Sequence, residues 1–148
     1  MKDEIVLFGI VLSDMVIREM NTGKVSYIGS FHQYNSPVFP FGVPPFSVTP
    51  IMTNFRGKKD KPIIIAIRIE DPKTGLISAN VVAGVQLPPD YVFSGSEVLE
   101  FPFPIQPITF QSPGNYLVVI MLDGEKIGDR QLPVTLMTGQ AQPQPPKS

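Results

Sequence analysis

Proline is the residue that most constrains the fold of this chain. There are 17 prolines among 148 residues, spread from Pro37 to Pro146. Each one removes a backbone donor and clashes with the preceding helical turn, so long helices are excluded wherever proline recurs. No window combines an apolar stripe at helical spacing with a capping residue and a glycine stop. Short apolar or alternating runs followed by turn residues recur instead, and they predict an all-β chain with antiparallel sheets.

Four turns separate these runs and define the predicted strands. Asn21-Thr22-Gly23 and Asp71-Pro72-Lys73-Thr74-Gly75 are typical of hairpin loops whose glycines adopt a positive φ. Asp123-Gly124 is the strongest short hairpin signal, and Ser112-Pro113-Gly114-Asn115 turns the chain into the strand before it. This spacing predicts an antiparallel β-sandwich of about eight or nine strands, immunoglobulin-like or C2-like.

Three segments differ in their expected burial. Tyr116 to Leu122 is apolar on both faces, which predicts a central strand. Between residues 130 and 136 the pattern alternates, which suits a strand with one wet face. The stretch from Phe101 to Phe110 carries three prolines, and we expect it at a sheet edge because each proline removes a ladder donor.

Phenylalanine is interleaved with proline in two stretches, residues 36–50 and 101–110. The first holds five prolines, and we expect an extended segment pinned to the sandwich by its aromatic rings. If exposed, these grouped aromatics would form an interaction surface; the alternative is that they fold inward over the core. The candidate surface residues are Phe39, Phe41, Phe46, Phe101 and Phe103.

Composition limits the classes of partner and the organisation of the chain. Hydrophobic residues make up 43% and charged residues 17%, which excludes a disordered chain. We expect a single domain over residues 1–138 and a flexible Gln/Pro-rich tail over residues 139–148. The net charge of -1 leaves no electrostatic footprint for nucleic acid or for an anionic membrane. Cysteine is absent, which excludes disulfides and thiolate chemistry. The apolar run over residues 5–12 is too short to span a membrane and lacks the flanks of a signal peptide, so we expect a cytoplasmic protein.

The sequence lacks the common motifs of nucleotide binding, metal binding and nucleophilic catalysis. P-loop, GxGxxG, GxSxG, HExxH and Asp-rich calcium-loop patterns do not occur. The single histidine, His32, is either a strand-end residue bonded to a backbone group or a general base or metal ligand beside Asp14 or Asp129. Because it has no spaced partner, we predict no catalytic residue, no metal site and no cofactor. The basic run from Arg56 to Lys61 is a solvated turn or a patch for phosphate or an acidic partner.

An ordered set of short motifs resembles an uncharacterised bacterial protein family over residues 5 to 136. The motifs are Ser13-Asp14-Met15-Val16, Arg18-Glu19, Thr22-Gly23-Lys24-Val25-Ser26, Ile28-Gly29-Ser30-Phe31, the segment from Pro37 to Phe46, Asp71-Pro72 with Gly75, Pro113-Gly114-Asn115-Tyr116 and Asp123-Gly124. The resemblance implies a stand-alone bacterial β-sandwich protein of unknown function and implies no catalytic or binding residues. The Pro-Gly-x-Tyr turn also resembles the corner before a late strand of immunoglobulin-like sandwiches, with Tyr116 as its anchor. The Gln/Pro tail departs from the family pattern.

These observations predict a non-catalytic module that binds or assembles with another protein. Contact would come from loops, a sheet edge or the Phe-Pro surface, and the oligomeric state is left open. The alternatives are a small-ligand or calcium-dependent binder of the C2 or lectin type, and an enzyme that relies on His32.

Overall fold

The computed structural model describes residues 5–53, 62–87 and 97–137, and its regular structure there is all β-strand. The strands are β1 (Val6–Arg18), β2 (Val25–Ser30), β3 (Tyr34–Ser36), β4 (Phe41–Val43), β5 (Phe46–Thr53), β6 (Ile63–Glu70), β7 (Ile77–Val85), β8 (Val98–Glu100), β9 (Phe103–Ile105), β10 (Ile108–Phe110), β11 (Gly114–Leu122) and β12 (Glu125–Leu136). Within these ranges no helix is long and apolar enough to cross a membrane. The prediction of an all-β antiparallel sandwich is confirmed.

The described part contains twelve strands, more than the eight or nine that the turns predict. Seven of them have six or more residues. The other five have three residues each and lie beside or across the prolines of the two Phe-Pro stretches. Proline cannot donate to a ladder, so pairing in these stretches stops after a few residues.

Two main sheets enclose one hydrophobic core. The first has the order β2-β1-β5-β8, with β9 also paired to β5, and the second has the order β3-β12-β11-β6-β7. β11 lies between β12 and β6, as its apolar pattern predicts, and β8 and β9 lie at the edge of the first sheet. The largest fully buried side chains come from both sheets and from β10: Phe110, Leu12, Met52, Ile63, Ile65, Ile67, Ile69, Ile105, Ile120, Leu132 and Val48.

The predicted hairpins form because their turn residues satisfy local backbone groups. The Asp71 carboxylate accepts a hydrogen bond from the Lys73 N–H at 2.9 Å, and its carbonyl accepts one from Gly75 at 2.7 Å. Asp123 and Gly124 both have a positive φ, 49° and 86°, as the tight turn between β11 and β12 requires. All three predicted hairpin turns are confirmed.

Pro50 lies inside β5, where the sequence predicts only a pinned extension over residues 36–50. β5 runs between β1 on one side and β8 and β9 on the other. β8 pairs with Ile51–Thr53 and β9 with Phe46–Val48, so Pro50 falls in the gap between the two ladders. Its carbonyl accepts a hydrogen bond from the Phe101 N–H at 3.2 Å. A strand can therefore keep a proline in the middle of a sheet where its missing donor has no ladder partner.

Tyr116 anchors the corner that leads into β11. Its hydroxyl donates to the Ser112 carbonyl at 2.7 Å, four residues upstream, while its ring is buried. This is the tyrosine corner of immunoglobulin-like sandwiches, and the predicted role of Tyr116 is confirmed.

Removing the Tyr116 hydroxyl measures how much its hydrogen bond to Ser112 contributes to the stability of the protein. We expect Tyr116→Phe to lower the free energy of unfolding by about 1 kcal/mol, because the Ser112 carbonyl loses its donor while the ring stays packed. Urea denaturation of both proteins measures this difference. An unchanged midpoint and slope would mean that the hydrogen bond does not stabilise the corner.

Two predictions concern residues outside the described ranges. The basic run from Arg56 to Lys61 and the tail over residues 139–148 both lie there, so their predicted roles stay predictions.

Candidate functional site

The five phenylalanines predicted from the sequence pack inward. Phe46 and Phe103 are buried, with 2% and 6% of their surface exposed. Phe39, Phe41 and Phe101 are half-buried and pack against the same core. Of the two alternatives from the sequence, the structure therefore shows the second, in which these rings fold inward over the core.

The rings point inward because they belong to an aromatic cluster that joins several strands. Phe31 and Tyr34, which the sequence did not single out, stand at its centre, with ring centroids 4.7 Å apart. Phe31 meets Phe46 edge-on at 5.6 Å, and Tyr34 meets Phe41 edge-on at 5.9 Å. Such geometries add to the free energy gained from burial. The Phe-Pro segment is thus held to the sandwich by ring contacts, as predicted.

An opening lies between β1 and β12 on the surface of the described part. β1 pairs with β5 over Val6–Ser13, but β2 begins to pair with its other edge only at Ser13. β12 pairs with β11 along most of its length, and β3 joins its other edge only from Val134 onward. Within residues 5–53, 62–87 and 97–137, the first halves of β1 and β12 therefore each have one edge that pairs with no other strand.

A cavity of about 340 Å³ lies between these two edges. It is lined by Leu7, Phe8, Gly9, Ile10, Ile127, Gly128, Asp129 and Arg130. Gly128 leaves room for the Leu7 side chain, since a Cβ at this position would lie 2.5 Å from Leu7 Cδ2. Gly9 follows a register shift between β1 and β5. A glycine inside an apolar strand pattern marks a bulge or a close approach, and this signal was available in the sequence.

The backbone of Ile10 faces this opening. Ile10 stands opposite Pro50 of β5, and the Pro50 carbonyl points away from β1 toward Phe101. The Ile10 carbonyl likewise points away from β5, since it accepts a hydrogen bond from Arg130 Nη1 at 2.9 Å. Opposed residues whose backbone groups diverge form the non-hydrogen-bonded pairs of an antiparallel ladder. The Ile10 N–H therefore also points away from β5 and into the opening, and within the described ranges no strand pairs with this edge of β1 at Ile10.

Arg130 reaches across the opening from β12. Besides the Ile10 carbonyl, its contacts are His32 Nδ1 at 3.0 Å and a long one to the Gln131 carbonyl at 3.5 Å. Burial lowers the pKa of the Arg130 guanidinium from its ordinary value. The neighbouring carboxylate, Asp129, forms an ion pair with Lys126 at 2.5 Å, and this contact raises the pKa of Lys126.

His32 lies beside a cation in this structure. Its side chain is exposed, and because arginine can only donate, Nδ1 accepts the hydrogen bond from Arg130. The sequence suggested Asp14 or Asp129 as its partner, whereas the contact in the folded protein is with Arg130. In the described ranges no group of three or more His, Asp or Glu side chains is placed to hold a metal ion.

Exposed apolar side chains border the opening on the β1 side. Phe8 has 74% of its surface exposed and Val6 51%, and both belong to the half of β1 that lacks a second partner strand. Phe8 also lines the cavity. An open strand edge and an exposed aromatic side chain thus share one part of the surface.

A second polar cluster at the far end of β1 has a structural role. The Tyr27 hydroxyl donates to the Glu100 carboxylate, and Arg18 donates to the Gly23 and Glu100 carbonyls. Burial and this hydrogen bond raise the pKa of Tyr27. The contacts of Tyr27 and Arg18 with Glu100 tie β2 and the end of β1 to β8.

Tyr34 lies outside this cluster. Burial and the charge of Asp14 raise the pKa of Tyr34.

A model of a family of unknown function, DUF6941, matches residues 9–135. The chain belongs to the DUF6941 family. The resemblance to an uncharacterised family is confirmed, while bacterial origin stays a prediction. No curated protein matches this DUF6941 chain.

Two solved structures are weakly similar to the DUF6941 chain. A β-glucuronidase from glycoside hydrolase family 2 is similar over 67% of this chain and 10% of its own length, with 15% identity and a TM-score of 0.45. An immunoglobulin-like protein from Pseudomonas aeruginosa is similar over 88% of this chain and 96% of its own length, with 11% identity and a TM-score of 0.36. Likeness at this level supports no conclusion about activity or partners.

In this DUF6941 protein three kinds of chemical group meet at the opening. The β1 edge offers backbone hydrogen bonds, Phe8 and Leu7 offer apolar contact, and Arg130 offers charged donors. In proteins that add a peptide strand to a sheet edge, backbone hydrogen bonds contribute affinity and contacts to alternate side chains contribute specificity.

Proposed function

We propose that this DUF6941 protein is a non-catalytic binding module that takes an extended segment of a partner protein along β1, in the opening between β1 and β12. The observation that carries the proposal is the Ile10 N–H, which faces the opening and pairs with no strand of the described ranges. Unpaired strand edges are templates for further strands, and proteins that do not use them usually block them with proline, charge or short edge strands.

The composition of the edge supports this use. The first half of β1 contains no proline and no charged residue from Val6 to Leu12, so nothing within the strand blocks pairing. β1 is also the longest strand of the described part, at 13 residues. Arg130 contacts the Ile10 carbonyl and not the Ile10 N–H, so this backbone donor stays available to a partner while Arg130 remains in place.

The small-ligand alternative has less support in the described residues. A calcium site needs several converging oxygen ligands, and acidic groups of that kind do not gather within the described ranges. We therefore favour a protein partner over calcium.

The test is a selection of short linear peptides from a phage-displayed library against the folded protein. We expect recovered peptides to be of strand-forming composition and to lose at least about tenfold in affinity on Gly128→Val, equivalent to about 1.4 kcal/mol, because the new side chain narrows the opening. Ile10→Pro should weaken binding as well, because it removes the N–H that faces the opening and leaves the pairing with β5 in place.

Gly84→Val in β7 is the matched control. Gly84 is also a strand glycine, but a Cβ there would meet only Ile64 Cδ1 at an ordinary 3.6 Å. Thermal unfolding of each variant establishes that it is folded. The proposal is contradicted if the library yields no binder, or if the binders tolerate Gly128→Val and Ile10→Pro as well as they tolerate Gly84→Val.

A further inference from the structure

We infer that the segment bound in the opening carries a carboxylate that pairs with Arg130. This inference rests on the proposed function and names the chemistry of the partner at one position. The carboxylate is either an Asp or Glu side chain or the C-terminal carboxylate of the partner chain.

The charge of Arg130 is not balanced by an acidic group in the described part of the chain. Its contacts there are two backbone carbonyls and a neutral ring nitrogen, those of Ile10, Gln131 and His32. Asp129 is adjacent in sequence, but its carboxylate pairs with Lys126. A half-buried guanidinium loses hydration, and an ion partner ordinarily compensates for that loss. Here the contacts within the described part supply only dipoles.

The guanidinium still has donors to offer. Arginine has more N–H groups than these three contacts use, and the Gln131 contact is long at 3.5 Å. Its planar fork suits a carboxylate, which it can bind through two parallel hydrogen bonds. Burial lowers the pKa of this group, which agrees with a cation placed where an anion would be favourable.

The position of Arg130 fixes where the carboxylate would lie. Because Nη1 already contacts the Ile10 carbonyl, the guanidinium stands directly at the edge along which a peptide would pair. A carboxylate bound there would be close to the Ile10 N–H, and His32 contacts the same guanidinium through Nδ1. The Ile10 N–H, which would contribute affinity, and the Arg130 guanidinium, which would select for a carboxylate, would therefore act at the same position of the bound peptide.

The experiment uses the selected peptides as probes. One library is displayed with both peptide ends fused, and a second is displayed with a free C-terminus. We expect Asp or Glu at a fixed position in the first library, or a requirement for the free C-terminus in the second. Replacing that Glu by Gln, or amidating the C-terminus, should weaken binding at least about tenfold, as for loss of a charge-assisted hydrogen bond.

Arg130→Gln is the decisive variant, with Arg18→Gln as its control. Arg18 also donates to two backbone carbonyls, at 3.1 and 3.2 Å, but it stands at the opposite end of β1. Arg130→Gln should bind the acidic and the neutral peptide equally, whereas Arg18→Gln should keep the tenfold preference. Arg130→Lys, which retains the positive charge, should keep part of the preference for the acidic peptide.

Each outcome separates the inference from the proposed function. Peptides whose binding is weakened by Gly128→Val and Ile10→Pro, but which bind equally well with and without the carboxylate, would overturn the inference and leave the proposed function standing. Retention of the preference in Arg130→Gln would also overturn it. Failure to recover any peptide would overturn both.

Discussion

Replacing Phe110 by alanine is expected to lower the free energy of unfolding by about 3–5 kcal/mol. Among the residues that the structure describes, Phe110 is the largest side chain that is completely buried, and its ring lies 4.7 Å from that of Tyr116 and 6.2 Å from that of Tyr34. Truncation removes its apolar contacts and leaves a cavity between β10 and the tyrosine corner. Because small domains have total stabilities of about 5–15 kcal/mol, the variant should be close to unfolding at room temperature.

Phe8→Ala is the matched control for this experiment. It removes the same atoms, but Phe8 is 74% exposed, so we expect a change within about 0.5 kcal/mol. Urea denaturation of both variants, analysed with one common dependence of the unfolding free energy on urea concentration, gives the two changes in the free energy of unfolding. Similar losses for the two variants would contradict the assignment of Phe110 to the core.

Gly29→Ala is expected to cost on the order of 1–3 kcal/mol. Gly29 has a φ of 66°, in the left-handed region that favours glycine. An added Cβ would also collide with the Asp14 carboxylate on the neighbouring strand. The β1–β2 hairpin therefore depends on glycine at this position for its backbone conformation and for the space it leaves.

Two further variants separate the effect of the positive φ at Gly29 from the effect of the collision with Asp14. Gly42→Ala, in β4, has no positive φ and its Cβ would meet only Thr109 Oγ1 at 3.9 Å, so we expect little change or a small gain in stability. Combining Gly29→Ala with Asp14→Ala should recover the part of the loss that comes from the collision. Equal stability of the Gly29→Ala and wild-type proteins would contradict the dependence of the hairpin on this glycine.

The hairpins and the central strand could be predicted from the sequence because their causes are local. Asp71-Pro72 with Gly75, and Asp123-Gly124, carry their turn geometry in neighbouring residues. The β11 pattern, apolar on both faces, is likewise visible without knowledge of the rest of the chain. The corner at Tyr116 was predicted through its resemblance to a known motif.

Pro50 shows where local rules are insufficient. A proline within a run of strand residues predicts an edge or an interruption, and β5 lies between partners on both sides. What permits it is the gap between the β8 and β9 ladders, which depends on residues about 50 positions further along the chain. The direction of the phenylalanines likewise depends on Phe31, Tyr34 and Phe110, which approach only in the folded protein.

The candidate site could not be predicted for the same reason. The hydrogen bond between Arg130 and the Ile10 carbonyl joins residues 120 positions apart. Gly9 and Gly128 gave the only sequence signals at the opening, and each is weak without knowledge that the two strands face each other. The side chains that attract attention in the sequence, the Phe-Pro aromatics and His32, serve mainly the core and the contact with Arg130.

Amide hydrogen exchange at Ile10, measured residue by residue by NMR, tests the open edge of β1 most directly. Val11 is the internal reference, since it alternates with Ile10 and its N–H faces Thr49 of β5. We predict that the Ile10 amide exchanges at least about a hundredfold faster than the Val11 amide in the free protein, and that a selected peptide slows it. Equal protection of Ile10 and Val11 in the free protein would mean that the edge is already closed, which would contradict the proposed binding site.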